Sequence, residues 1–290
     1  MKSLPFEFAV PQYPLAPATL YNVGGPAQLA LLPRSMQEAQ DAYLWMCEQP
    51  GRKLVLGGGS NVLIADEGFP GIVLFTTGLN NLDTLSDGRY AVESGVELAR
   101  LVSEVMLPNN FEGTAGLTGI PGSVGGAIYM NAGTASGTTL EWVEGVDVMT
   151  PDGLVSVNMD PALYGYRGQT FCPPGGLILR GQFRFVRSEK DQKPLYDHYM
   201  QRRKDTQPQG HCCGSVFKNP EGNHAGRLIE ACGLKGTRRG GAEISPKHAN
   251  FIMNVSGATC SDVVWLIDLA KRSVKEKFGV DLEEEVKIIR

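Results

Sequence analysis

The stretch Cys212-Cys213-Gly214-Ser215-Val216-Phe217-Lys218-Asn219-Pro220 sets one small hydroxyl between a glycine and two bulky apolar residues. A cation, an amide and a proline follow. Ser215 in that company is either a strand start with a turn behind it or a chemical group held at a site. Two other stretches have the composition of a ligand cradle. Gly57-Gly58-Gly59-Ser60-Asn61 follows the strand-like run Lys53–Leu56. Successive glycines let backbone N–H groups converge on an anion, above all a phosphate. The second stretch is Gly119-Ile120-Pro121-Gly122-Ser123-Val124-Gly125-Gly126-Ala127, followed by Asn131-Ala132-Gly133, inside the uncharged run 113–140. A diphosphate needs many donors, which backbone N–H groups supply without lysine. A planar ring system needs close backbone approach, which glycine and alanine allow.

Neither stretch is a Walker loop, and Val62 stands where a Rossmann turn needs its last glycine. The first reads alone as a structural turn or a phosphate cradle, and the second as a loop between strands or a ligand loop. Two of them in one half make a bound dinucleotide the better explanation. Their setting outside a Rossmann unit favours flavin over nicotinamide.

The elements that must position these residues are mixed. Ser35 to Glu38 has the form of a capping box, and Met36, Ala39, Tyr43, Met46 and Cys47 repeat at helical spacing, so 36–49 is a predicted helix. Residues 96–107 form a second, stopped by Pro108. Strands are expected at 53–56, 62–64, 72–75, 146–149, 154–157, 177–186, 251–255 and 286–289. Helices are expected at 196–204 and 225–232, with a last one capped by Ser261 and stopped by Gly279. The charged segment 188–193 is a plausible boundary.

The chain has 290 residues, a net charge of -4 and 42% apolar residues, the composition of a globular protein with a substantial core. Its 36 glycines exceed the roughly 7% of average usage and imply many tight loops. No basic face marks nucleic acid as a partner; the short run Arg202-Arg203-Lys204 is either a solvated helix end or a phosphate contact. Prolines at 5, 11 and 14 interrupt any leader-like apolar run, and no stretch has the composition of a membrane helix. Six scattered cysteines without a CxxC pair suggest free thiols in a reducing cytoplasm. His211 beside Cys212 and Cys213 lacks a second ligand pair, so no metal is expected.

Seven motifs occur in order: GGGSNVLIAD at 57–66, GLTGIPGSVGGAIYMNAG at 116–133, YGYR at 164–167, CGSVFKNP at 213–220, AGRLIEACGLKG at 225–236, GGAEISPKHANFIMN at 240–254 and LEEEVKII at 282–289. Together they resemble the UDP-N-acetylenolpyruvoylglucosamine reductase family, over about residues 15–289. The resemblance implies an α+β fold: a two-lobed FAD-binding unit of the vanillyl-alcohol-oxidase type over 1–187, dividing near 80, then an α+β substrate domain over 188–290. The short connection from the 177–186 strand to the 196–204 helix resembles the shorter form of the family, which lacks an inserted tyrosine loop.

The resemblance also implies the chemistry. NADPH reduces bound FAD, and the enolpyruvyl ether of UDP-N-acetylglucosamine is then reduced to UDP-N-acetylmuramate for peptidoglycan synthesis. It implies catalytic roles for Arg167, Ser215 and Glu285, and substrate contacts for Tyr166, Lys204 and Asn219. It assigns FAD to Gly57, Gly58, Gly59, Ser60, Asn61, Gly119, Pro121, Gly122, Ser123, Gly125, Gly126, Ala127, Asn131 and Ala132. Glu283 and Glu284 are rivals of Glu285 that only the motif excludes. A monomeric cytoplasmic enzyme acting on small molecules is expected. Gln169 departs from the family's usual serine, and Leu20-Tyr21-Asn22 from its Thr-Phe-Arg or Thr-Phe-Lys stretch.

Overall fold

The structure is a computed structural model that describes residues 4–86 and 88–290. In chain order come β1 (Ala9–Pro14), β2 (Pro26–Leu31), α1 (Met36–Glu48), β3 (Arg52–Leu56), β4 (Val62–Ile64), β5 (Phe69–Phe75), β6 (Leu82–Ser86) and β7 (Arg89–Glu93). Three helical pieces follow, α2 (Leu98–Arg100), α3 (Thr114–Leu117) and α4 (Val124–Met130), then β8 (Gly133–Thr134), β9 (Gly137–Thr138), β10 (Val143–Thr150) and β11 (Gly153–Asn158). The rest is β12 (Tyr164–Gly165), β13 (Gly168–Gln169), β14 (Leu177–Arg184), α5 (Lys193–Thr206), α6 (Ala225–Ala231), β15 (Arg238–Arg239), β16 (Ala242–Ile244), β17 (Ile252–Asn254), α7 (Cys260–Phe278) and β18 (Lys287–Ile289).

Two compact units divide the chain. The first takes the described residues up to Pro11, then 29–58 and 70–202; the second takes 12–28, 59–69 and 203–290. One sheet has the order β1-β2-β5-β3, and in it β3 and β5 run parallel with Leu56 opposite Phe75. The helix α1 buries Ala39, Ala42, Tyr43 and Met46, the stripe that its spacing predicts, with Leu31, Leu74 and Leu179. Each large side chain in such a stripe contributes about 1.5–3 kcal/mol. Only half of the expected capping box forms. The Ser35 hydroxyl accepts from the Glu38 N–H, but the Glu38 carboxylate accepts from the Arg34 N–H instead of that of Ser35.

The first unit also holds an antiparallel sheet of order β11-β10-β14-β7-β6. Val92, Val146, Val148, Ile178 and Phe183 of this sheet share a core with Val124, Ala127 and Ile128 of α4. Two expectations fail here. The predicted 96–107 helix is α-helical only at 98–100 and continues as a π-helical turn over 101–106, where the Leu107 N–H reaches the Val102 carbonyl. Pro108 has no N–H to continue a regular ladder. The second glycine-rich stretch is not a loop throughout: from Val124 it is α4, so Gly125, Gly126 and Ala127 are helical.

In the second unit α7 presents Val263, Leu266, Ile267, Ala270 and Val274 to a core that includes Tyr21, Leu63, Val216, Phe217, Leu228 and Ile244. The cap is Thr259, not Ser261. Thr259 and Asp262 exchange side-chain and backbone hydrogen bonds as a reciprocal box, and Gly279, at φ 70°, ends the helix. Ser261 is inside the first turn, where its hydroxyl and N–H donate to Asp66; the Cys260 N–H donates to the same carboxylate. β15, β16 and β17 form an antiparallel sheet, and β18 pairs parallel with β4, Ile288 opposite Leu63.

Candidate active site

The cradle of the first unit is built where β3 ends. Gly57 and Gly58 run directly against Gly122 and Ser123, with so little room that a Cβ on Gly57 would lie 2.5 Å from Ser123 Oγ. A Cβ on Gly58 would lie 3.1 Å from the Gly122 Cα. Ser123 is buried and joins the two stretches: its hydroxyl accepts from the Gly58 N–H at 3.3 Å and from the Gly126 N–H at 3.4 Å. The Gly125 N–H donates to the Ser94 carbonyl at 2.8 Å. Bare backbone faces outward at Gly119, Pro121 and Gly126, which are exposed.

Two hydroxyls beside this cradle, Thr76 Oγ1 and Ser94 Oγ, are buried without a hydrogen-bond partner among the described residues. Buried polar groups ordinarily find partners. A bare backbone cradle edged by orphan hydroxyls fits a nucleotide cofactor. Gly59, Ser60 and Asn61 belong to the second unit. Gly59, at φ 60°, leaves no room for a side chain, since a Cβ would lie 2.0 Å from the Ala18 carbonyl. The Asn61 amide donates to the Glu285 carbonyl at 3.0 Å, so this side chain anchors the backbone of a predicted catalytic residue.

Arg167 sits at the tip of the β12–β13 hairpin, where Gly165 pairs with Gly168 and Tyr166-Arg167 make the two-residue turn. Its φ is 58°, the left-handed region that turns usually give to glycine or asparagine. A non-glycine residue there costs on the order of 1–3 kcal/mol and persists where the surroundings over-determine it. Arg167 Nη2 donates to the Gly133 carbonyl at 3.0 Å, and the guanidinium carbon lies 5.1 Å from the centre of the Tyr166 ring. The amide of buried Asn131 donates to the Gly165 carbonyl at 2.9 Å and accepts from the Leu140 N–H at 3.1 Å. Asn131 thereby ties the Arg167 hairpin to the end of α4. Gln169, the departure beside it, closes the following turn through the Cys172 N–H and carbonyl.

In the second unit a cavity of about 290 Å³ is lined by Ser215, Asn219, Arg227, Glu230, Lys247 and His248 among others. Val216 and Phe217 are buried and anchor the segment. The Glu285 N–H donates to the Val216 carbonyl at 2.8 Å, which sets Glu285 alongside Ser215 in the chain fold. The rivals of Glu285 are taken up elsewhere, Glu283 in an ion pair with Lys218 and Glu284 with Lys271 at 2.8 Å. The Asn219 carbonyl oxygen of the side chain caps α6 by accepting from the Ala225 N–H at 3.1 Å. Lys204 is exposed, and its backbone carbonyl accepts from Lys247 Nζ at 2.6 Å.

Burial, then Lys235, holds the His248 imidazole below its ordinary value. Its Nδ1 accepts from the Asn250 N–H at 3.2 Å, which leaves the proton of the neutral ring on Nε2. Cys213 is pushed up to about 12, first by burial, and so remains a thiol. Among the described residues no three His, Cys, Asp or Glu side chains gather as a metal site. The sequence reading missed Arg227, Lys247, His248 and Asn250 as cavity residues. Their signal was present in AGRLIEACGLKG and SPKHAN, whose cations stand among small residues.

Comparison with known proteins agrees with both halves of this geometry. Residues 27–157 match the model of an FAD binding domain, and residues 206–289 match that of the C-terminal domain of UDP-N-acetylenolpyruvoylglucosamine reductase. The UDP-N-acetylenolpyruvoylglucosamine reductase of Myxococcus xanthus is 40% identical over 94% of this chain and 90% of its own. That of Chloroherpeton thalassium is 39% identical over 95% and 91%. The crystal structure of the enzyme from Thermus caldophilus superposes with a TM-score of 0.82 at 35% identity, over 97% of this chain and 98% of the other. With an FAD-binding half, a matching second half and relatives at this identity along nearly its whole length, the chain belongs to the UDP-N-acetylenolpyruvoylglucosamine reductase family.

Proposed function

We propose that the protein uses NADPH and bound FAD to reduce UDP-N-acetylglucosamine enolpyruvate to UDP-N-acetylmuramate, in peptidoglycan precursor synthesis. The observation that carries this reading is the cavity of the second unit, which Ser215 and Asn219 line together with Arg227 and Lys247. Two cations beside a hydroxyl and an amide suit the diphosphate and sugar of a nucleotide sugar. We assign the flavin role to residues 1–187, in two lobes dividing near 80, and the substrate role to 188–290. The matched ranges 27–157 and 206–289 support that division. Six free cysteines suit a reducing cytoplasm, and no described helix is long and apolar enough to cross a membrane. We take the acting form to be a monomer.

The residues of the cradle, Gly57, Gly58, Gly119, Pro121, Gly122, Ser123, Gly125, Gly126 and Ala127, would hold FAD, together with Gly59, Ser60, Asn61, Asn131 and Ala132. The chemistry that FAD would supply there is hydride transfer from NADPH to the enolpyruvyl double bond. Negative charge then builds beside the substrate carboxylate. Arg167, a planar two-pronged cation, holds that carboxylate and stabilises the charge. Ser215 delivers a proton to the neighbouring carbon, which completes the lactyl ether. Glu285 orients or stabilises the enol-like species. Tyr166, Asn219 and Lys204 hold the rest of the substrate.

Rapid mixing separates the two halves of the reaction. Ser215→Ala is expected to keep its flavin and to be reduced by NADPH at the parent rate, while reoxidation by the enolpyruvyl substrate falls by ~10²–10⁴-fold. An alanine variant that reoxidises at the parent rate makes Ser215 a structural hydroxyl. Ser215→Cys, a small donor, should recover part of the loss.

A further inference from the structure

We infer that Asn250 is a positioning residue for the reduction, which fixes the orientation of Ser215 and passes that constraint on to Glu285. The inference rests on the roles proposed above for those two residues. The segment that carries Ser215 belongs to no regular strand or helix. On its N-terminal side stands Gly214 at φ 79°, next to the buried Cys213, with nothing within 4 Å of where a Cβ would be. On its C-terminal side one residue makes three hydrogen bonds to the segment. The Asn250 carbonyl accepts from the Val216 N–H at 2.9 Å. Its side-chain oxygen accepts from the Phe217 N–H at 3.0 Å, and its amide donates to the Phe217 carbonyl at 2.8 Å.

Asn250 is 3% exposed, so these bonds form away from solvent competition. Burial of Val216 and Phe217 sets where the segment lies. The three bonds set how its peptide planes turn, and hence where the Ser215 hydroxyl points. Val216 carries the effect further. With its N–H held by Asn250, its carbonyl accepts from the Glu285 N–H at 2.8 Å and the Val286 N–H at 3.3 Å. One asparagine therefore stands behind a proton donor and a carboxylate that are 70 residues apart in sequence.

The test uses Asn250→Asp and Asn250→Ala, each alone and together with Ser215→Ala, in the flavin-loaded enzyme. Asn250→Asp keeps the shape and the acceptor to Phe217 but loses the donor. Both variants are expected to bind FAD and to be reduced by NADPH as the parent is. The saturating rate of reoxidation by UDP-N-acetylglucosamine enolpyruvate should fall by ~10–10²-fold, as for a misplaced reacting group. In the Ser215→Ala background the same substitutions should cost clearly less than in the parent, because only the part that runs through Glu285 is left. Full additive losses in both backgrounds overturn the inference, as does a parent reoxidation rate in Asn250→Asp. A loss confined to substrate affinity would make Asn250 a binding residue, and failure of both variants to fold would make it a stability residue; either overturns the proposal. If Ser215→Ala alone reoxidises at the parent rate, the proposed role of Ser215 fails, and that shows without any Asn250 variant.

Discussion

Gly126→Ala separates the needs of the fold from those of the cofactor. Gly126 is an exposed residue of α4 without a positive φ, and a Cβ there would meet only Ser123 Oγ, at 3.6 Å, an ordinary contact. The fold alone therefore favours alanine. Glycine within a helix costs ~0.5–1 kcal/mol relative to alanine. The flavin-free protein should gain about that much, a rise of ~1–4 °C in its melting temperature. If Gly126 is bare because the cofactor approaches its backbone, the added methyl overpacks that contact by ~1–3 kcal/mol. FAD affinity should then fall by ~5–150-fold. Thermal melts of the apoprotein and FAD titration by flavin fluorescence measure the two effects. Gly125→Ala is the contrast: its Cβ would lie 2.6 Å from the Ser94 Cβ, so it should destabilise the apoprotein itself. A Gly126→Ala protein that binds FAD as tightly as the parent refutes the placement of the cofactor at this turn. A destabilised apoprotein refutes the packing argument.

Arg167→Lys should leave reduction by NADPH intact and slow reoxidation by the enolpyruvyl substrate by ~10²–10³-fold, because a point charge cannot reproduce a two-pronged clamp; equal losses in both half-reactions, measured by rapid mixing, would point to displaced flavin instead. His248, near Lys235 and Glu230, has its folded value lowered, first by burial, so below pH ~6.5 the unfolded chain takes up a proton that the folded one resists. Stability linked to this ring is thus complete above that pH and lost as the pH falls toward the folded value. His248→Gln should flatten that part of the stability profile in denaturant titrations between about pH 5 and 7; an unchanged slope would show that the buried ring does not control it.

Periodicity made α1 and α7 legible, since each buries a single stripe that spacing alone marks out. Short strands such as β3, β4 and β5 were legible from apolar runs between turn residues. The π-helical turn at 101–106 was not, because a widened turn keeps a helix-like apolar pattern and differs only in which carbonyl is reached. α4 was hidden by its glycines, which have poor helix propensity; its core contacts through Val124 and Ile128 override that. The cap of α7 was misread by two residues because Thr259 and Ser261 are both good caps, and only the pairing with Asp262 and Asp66 decides between them. At the site, residue types named the glycines and Ser215, while the roles of Arg167, Ser215 and Glu285 came from motif resemblance. Asn131 and Asn61 show why: the resemblance gives both to the cofactor, and their amides also hold backbone at Gly165 and Glu285. Such work depends on residues far away in sequence and leaves no local signature.

The pairing of β4 with β18 has a consequence for synthesis on the ribosome. Val62 and its partner Lys287 are separated by most of the chain, and residues 12–28 and 59–69 belong to a unit otherwise made of residues beyond 202. At ~5–20 residues per second, the nascent β4 waits roughly 10–45 s for its partner strand to be made. Throughout that interval Leu63 and Ile64, both wholly buried in the finished protein, lack their neighbours at 288 and 289. An unpaired apolar strand of this kind is a template for wrong pairing. Nascent chains arrested anywhere short of β18 should therefore depend on chaperones to keep that strand from its neighbours on the same message.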